Sequence, residues 1–297
     1  MRLPDFEAWA IFASVVEHRS FSAAARALGL SKATVSKAIT RLEAQLGATL
    51  FHRTSRTLSL TETGRALAPR AQRILTEAVC AEEEASDAAS APKGLVRLAA
   101  PMTFGLQRVA PAIAEFIARY PDITIDLALD DKKIDLVEEG IDVALRIAQL
   151  PDSSLRARRL MPISTHVVAS PAYFAAHGYP RHPAELSEHR CLWYANTEVW
   201  RFTGPGGEQI SVKPEGPLRA SSGEAMLPAL RAGLGITVLP DFIVGPDMAE
   251  GALEETLTDW AFPPIALHLV TPPNPLRPAR VEALIGFLVE RFSAKGR

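Results

Sequence analysis

Cysteine is scarce in this chain of 297 residues: Cys80 and Cys191 are the only two. Two cysteines so far apart make neither a disulfide framework nor a metal cluster, which fits a reducing compartment. No apolar run approaches the roughly 20 residues that a membrane-spanning helix needs. The opening Met1-Arg2-Leu3-Pro4-Asp5, with Glu7 close behind, lacks the apolar core of a secretory signal. The expectation is therefore a soluble, cytoplasmic protein. Catalytic signatures are missing too: there is no Gly-x-Ser-x-Gly elbow, no His-Glu-x-x-His pair and no Cys-x-x-Cys. His177 and His182 are too loosely spaced for a metal pair. The glycines around Gly204 lack dinucleotide spacing and fall in an expected hairpin. No catalytic residue, metal ligand or cofactor is expected, and the chain does not read as an enzyme.

Hydrophobic residues, at 47%, are ample for sizeable cores, and 22% charged residues argue against disorder. The length suits two or three compact units. The net charge of −2 hides an asymmetry. Up to Leu75, eleven basic residues face five acidic ones, so this head carries +6 and the remainder −8. A basic head on an acidic body is the pattern of a protein whose head alone meets a polyanion, although chance asymmetry gives the same numbers.

Within the head, Asp5 can cap a first helix with Phe6, Trp9, Phe12, Ala13 and Val16 at helical spacing. Ser20 can cap a short second helix, residues 21–28, closed by Gly29 in a left-handed position. Ser31 then reads as the N-cap of a third helix. Two helices joined by about three residues with a glycine form a helix-turn-helix. On the third helix Val35, Ile39, Leu42 and Leu46 make a buried stripe. Ala33, Thr34, Lys37, Thr40 and Arg41 lie opposite. That small, polar and basic face suits a major groove about 12 Å wide, and Lys32 in the first turn can project toward DNA. An amphipathic surface helix would look the same in isolation.

The segments after the third helix tip the balance. Residues 50–53 and 57–60 read as two short strands, with Thr54-Ser55-Arg56 at the tip. Arg53 and Arg56 are placed to meet phosphates or a minor groove. Thr61 can cap a long helix running to about residue 88. Its apolar stripe needs a partner: a second copy of itself, or the chain's own C-terminal part.

The run Phe12-Ala13-Ser14-Val15-Val16-Glu17, Ser20-Phe21-Ser22-Ala23-Ala24-Ala25 and Leu28-Gly29-Leu30-Ser31 resembles the opening of the LysR-type transcriptional regulators. So do Val35-Ser36-Lys37-Ala38-Ile39, Leu42-Glu43, Leu46-Gly47, Leu50-Phe51, Arg53, Arg56 and Leu60-Thr61-Glu62-Thr63-Gly64. The resemblance implies a winged helix-turn-helix over residues 1–60 and a dimerising linker helix over 61–91. It also implies a two-lobed effector domain over 92–297, of α/β type and akin to periplasmic solute-binding proteins. Lobe I would span about 92–163 and 265–297, and lobe II about 164–264. Further implications are a homodimer, often assembled as a tetramer, a double-stranded promoter operator, and a small coinducer between the lobes. Ser22, Ser31, Lys32, Thr34, Ser36, Lys37, Arg41, Arg53 and Arg56 are the candidate DNA contacts. Lys32 stands where the family often has Gln, and Lys favours guanine and phosphate over adenine. Arg19 stands where Gly is frequent and can add a phosphate contact. Contact with RNA polymerase and a place on the nucleoid follow from promoter binding.

In the body, residues 95–100, 123–129 and 142–147 read as strands, with helices over 106–119 and 134–139. This alternation predicts a largely parallel sheet, with ligands beyond the C-terminal strand ends. Thr103 lies at such a point. With nearby backbone N–H groups it can hold a carboxylate, or it can simply cap its helix. A helix over 225–232, a strand over 236–240, a return strand over 265–270 and a helix over 278–292 complete the pattern. Two crossings between lobes imply a hinged cleft. Its candidate lining is Thr103, Asp130, Arg146, Tyr194, Trp200 and Ser222, with an anionic coinducer among the options. Arg146 can clamp an anion or pair with a nearby Asp; the aromatics can equally be core. A ligand-independent architectural DNA binder, and an enzyme fused to a DNA-binding head, are the competing functions.

Overall fold

The computed structural model describes residues 3–53, 58–86, 92–131, 135–137, 139–149, 156–195, 197–273 and 277–293. The chain divides into two compact units. One comprises residues 1–93 with two short later pieces, 135–140 and 274–282; the other comprises the remaining residues from Gly94 onward.

The first unit opens with α1 (Phe6–His18), whose first turn is capped by the Asp5 carboxylate accepting the Ala8 N–H at 3.1 Å. Ser20 caps α2 (Phe21–Ala27), and Gly29 follows it at φ +66°. The hydroxyl of Ser31 caps α3 (Lys32–Leu46), and Gly47 ends that helix at φ +67°. Only glycine adopts these left-handed positions without steric cost. The core joins Phe12 and Val15 of α1, Ala24 of α2, and Val35, Ala38, Ile39 and Leu42 of α3. Leu46, expected on the buried stripe, is 40% exposed, and Ala38 takes the inward place.

Strands β1 (Phe51–Arg53) and β2 (Leu58–Leu60) pair antiparallel, Phe51 opposite Leu60. The tip, residues 54–57, lies outside the described residues. Phe51 meets Phe12 and Phe21 edge to face, each at 5.5 Å, which fastens the hairpin to the helices. Glu43 of α3 accepts the N–H of Leu50 at 2.8 Å and of Phe51 at 3.4 Å. Thr61 accepts the Gly64 N–H at 2.9 Å and donates to the Thr49 carbonyl at 2.7 Å. It thereby starts α4 (Glu62–Ser86), a helix that tolerates Pro69 inside it.

In the second unit β3 (Gly94–Ala100) leads into one helical run: α5 (Met102–Phe104), a π turn (Gly105–Val109) and α6 (Ala110–Arg119). β4 (Ile123–Leu129) and β5 (Val143–Ala148) follow, both parallel to β3. Where a short helix was expected over 134–139, the described residues form turns, pinned by Asp135 accepting the Val137 N–H. β6 (Arg156–Ile163) forms the sheet edge, its order being β4-β3-β5-β14-β6. The inserted β14 (Ile265–Thr271) runs antiparallel to both β5 and β6. Four of the five strands, β3, β4, β5 and β6, therefore run in one direction, as expected of a largely parallel sheet, and β14 alone runs against them. The C-terminal return strand is inserted between β5 and β6, so both of its pairings are antiparallel.

Between β6 and β14 lies the second lobe. β7 (Thr165–Ala169) is flanked antiparallel by β12 (Thr237–Pro240) and β13 (Glu254–Thr256). α7 (Pro171–His177) follows β7. β8 (Leu192–Tyr194) pairs parallel with β11 (Leu218–Ala220), and β9 (Trp200–Thr203) with β10 (Gln209–Val212) makes the hairpin around Gly204. The helix expected over 225–232 is a 3₁₀ turn, Glu224–Met226, continued by α8 (Leu227–Arg231). α9 (Asp241–Ala249) follows β12, and α10 (Ala279–Phe292) follows β14.

Candidate functional site

The outer face of α3 is continuous and open. Ser31, Lys32, Ala33, Thr34, Lys37 and Thr40 are exposed, while Val35, Ala38, Ile39 and Leu42 are buried behind them. The Ser31 hydroxyl both accepts the Thr34 N–H and meets the Thr34 hydroxyl at 2.8 Å, so these two side chains stiffen the leading turn. Ser36 and Ser22 are half-buried at the margin of this face. Arg41, expected among the DNA contacts, is held by Asp5 in a short two-pronged pair and by Glu7 at 3.1 Å. Its charge is met by two carboxylates of the α1 start, so it ties α3 to α1. The Arg53 backbone closes β1; its side chain and all of Arg56 lie outside the described residues. Arg19 closes α1 with φ +47°, the left-handed position that the resemblance associates with glycine.

A cleft of about 510 Å³ opens in the second unit, bordered by the ends of β4 and β5, the start of α5, β8, β9 and the start of α9. This is within the ordinary size range of a small-molecule site. Thr103, Asp130, Arg146, Tyr194 and Trp200 all line it; Ser222 does not, and its neighbour Gly223 does. Asp131, Phe104, Phe242 and Phe262 line it as well, and nothing in their local sequence singles them out. Phe104 and Phe242 meet edge to face at 5.3 Å. Trp200 is 3% exposed and belongs to the second lobe's core as well as to the wall.

The polar end of the cleft is an ion cluster. Burial pushes the Arg146 guanidinium below its ordinary pKa, and the charges of Asp130 and Asp131 push it back up. Burial likewise raises the Tyr194 phenol, and Asp131 raises it further, through its charge and by accepting a hydrogen bond from the hydroxyl. Asp131 also accepts the Met102 N–H at 3.0 Å. Thr103 does not cap its helix: Pro101 occupies the N-cap and makes no side-chain cap bond.

A helix-turn-helix with an antiparallel wing and a two-lobed α/β body with an aromatic-walled cleft match known proteins. The family model described as "Bacterial regulatory helix-turn-helix protein, lysR family" matches residues 6–65, and that of the "LysR substrate binding domain" matches residues 89–293. The chain belongs to the LysR family of transcriptional regulators. An HTH-type transcriptional regulator of Xanthomonas campestris pv. campestris is 37% identical over 291 residues, 95% of this chain and 84% of that protein. The solved structure of CrgA, a LysR-type regulator from Neisseria meningitidis, superposes with a TM-score of 0.58. It is 36% identical, covering 98% of this chain and 99% of that one. Full-length AphB, a virulence activator of Vibrio cholerae, gives a TM-score of 0.64 at 29% identity, covering 97% of this chain and 100% of that one. This LysR-family chain is a DNA-binding transcription regulator, not an enzyme. Among its described residues no helix is long and apolar enough to cross a membrane.

Proposed function

We propose that residues 1–60 read a promoter operator, 61–91 dimerise the protein, and 92–297 sense a small coinducer held between lobes 92–163/265–297 and 164–264. The observation that carries the DNA reading is the open face of α3. Its buried residues are all on the opposite side, so Lys32, Thr34 and Lys37 can enter a major groove without unpacking the head. Ser22, Ser31, Ser36, Arg53 and Arg56 complete the contact set, and Arg41 acts by holding the helix in place. Lys32 favours a guanine or a phosphate. An apolar groove bordered by Phe6, Ala10, Ile74, Leu75 and Ala78, with Phe6 more than half exposed, supports a second copy as the partner of α4. A tetramer of two such dimers, a cytoplasmic place on the nucleoid and contact with RNA polymerase belong to this reading.

The test is a binding titration on the DNA upstream of the protein's own gene against scrambled DNA, at two salt concentrations. A preference of about a thousandfold that survives the higher salt is the expected result. Equal, salt-sensitive binding to both would instead favour an architectural DNA binder. Lys37→Ala should weaken binding and, if Lys37 meets a phosphate, lower the salt slope by about one.

A further inference from the structure

We infer that Asp5 and Glu7 stand in for DNA phosphates: they occupy Arg41 and so hold down the sequence-independent part of DNA binding. This inference rests on the reading of α3 as the helix that enters DNA. Thr34, Lys37 and Arg41 follow one another at spacings of three and four, so they share one stripe of α3. Among the described residues Lys32 and Lys37 carry no ion pair, whereas Arg41 carries two. Its Nε and Nη2 both donate to the Asp5 carboxylate, and Nη2 also donates to Glu7 at 3.1 Å. The Arg41 side chain nevertheless stays 47% exposed and that of Glu7 67%, so the cluster sits at the water-facing edge of α3. A guanidinium there is of the kind that meets a phosphate, and the start of α1 has already filled its donors.

The charge balance points the same way. Two carboxylates and one guanidinium leave the cluster at net −1, beside the face that meets a polyanion. Ion pairs this open to water add little to stability, because solvent screens them. Their larger effect is on what approaches. Each phosphate that a cation neutralises releases counterions, and this release drives binding to any sequence, while base contacts do the reading. A withheld Arg41 removes one such contact and leaves Lys32, Thr34 and Lys37 open. The bond from Arg41, joined by the Ala8 N–H, holds the Asp5 carboxyl below the ordinary carboxylate range, so it stays ionised near neutral pH.

The experiment is a titration of the full-length protein on scrambled duplex DNA over a range of salt concentrations, for the wild type and Asp5→Asn with Glu7→Gln. Asn keeps an acceptor for the Ala8 N–H, so the cap of α1 survives. The double variant should bind about threefold to tenfold more tightly, with a salt slope steeper by about one, the mark of one added phosphate contact. Adding Arg41→Gln should return the slope to the wild-type value, which separates a released guanidinium from the general loss of two negative charges. Glu7→Gln alone alters an exposed side chain and should tighten binding by a smaller factor. If the double variant folds poorly, this single variant decides: unchanged affinity overturns the inference. An unchanged slope in a folded double variant, or a steeper slope that persists with Arg41→Gln, overturns it too. The reading of α3 stands in each case if Lys37→Ala lowers the slope by about one. If neither the double variant nor Lys37→Ala moves the slope, the inference and the reading of α3 fall together.

Discussion

Arg19 and Gly64 show how one residue can carry a backbone constraint. Arg19 holds φ +47° at the end of α1. A left-handed conformation costs an L-residue about 1–2 kcal/mol, part of which glycine would give back through its larger entropy loss. Arg19→Gly should therefore stabilise the head by about 0.5–1 kcal/mol in a denaturation experiment. Any accompanying loss of operator affinity would show that Arg19 also meets a phosphate. Gly64 is constrained by space. A Cβ there would lie 2.1 Å from the carbonyl oxygen of Leu50, a backbone atom that cannot move without shifting the wing. Gly64→Ala should destabilise the head by about 1–3 kcal/mol, the usual range for overpacking, read from urea midpoints at constant slope.

At this scale the sequence is most informative where a side chain acts within its own turn. Asp5, Ser20, Ser31 and Thr61 are all legible as caps, and each accepts a backbone N–H three residues on. Arg41 is not legible in this way, because its partners, Asp5 and Glu7, lie more than 30 residues earlier. A helical wheel places a charge on the outside; it does not say that another helix brings two carboxylates to it.

At the scale of elements, periodicity identifies α3 and the wing, and is silent where pairing sets the geometry. β14 alone runs against the other four strands of its sheet, and strand direction leaves no mark on the residues of a single strand. β8 carries a further consequence. Cys191, just before it, bridges to Ile236 and is fully buried. Burial pushes its thiol up to about 11, against an ordinary value of 9.0; the Glu215 N–H offsets this in part and the Glu215 charge adds to it. A raised folded-state value favours the neutral thiol, so this stability is present below pH 9 and lost as pH rises toward 11. In a Cys80→Ser background, stability should fall more steeply between about pH 8 and 11 with Cys191 present than in Cys191→Ala. The difference should reach about 2–3 kcal/mol at most. The native thiol should also resist alkylation until the lobe unfolds.

For the whole molecule, the division of labour makes its own prediction. Lys32→Ala and Lys37→Ala alter exposed residues of α3, and the cleft is lined by residues 101–265 alone. The double variant should bind the operator weakly and still show the full thermal shift with a cleft ligand. At a hundredfold excess over Kd that shift corresponds to about 2.7 kcal/mol. Loss of the ligand shift in the variant would mean that the head and the cleft do not act as separate parts.

By itself the sequence determined the local helices of the head, their caps, the wing and the family, because these depend on contacts within a turn or a hairpin and on a gapless run of motif residues. It also placed Thr103, Asp130, Arg146, Tyr194 and Trp200 as cleft candidates. Only the tertiary structure decided what the cleft is chemically. Met102, Asp131, Arg146, Tyr194 and Phe242 come from strand ends and helix starts separated by up to 140 residues, and the lobe crossings bring them together. Whether a guanidinium is open to an anion depends on which carboxylates the fold sets beside it, and that proximity exists only once the sheet and both lobes are assembled.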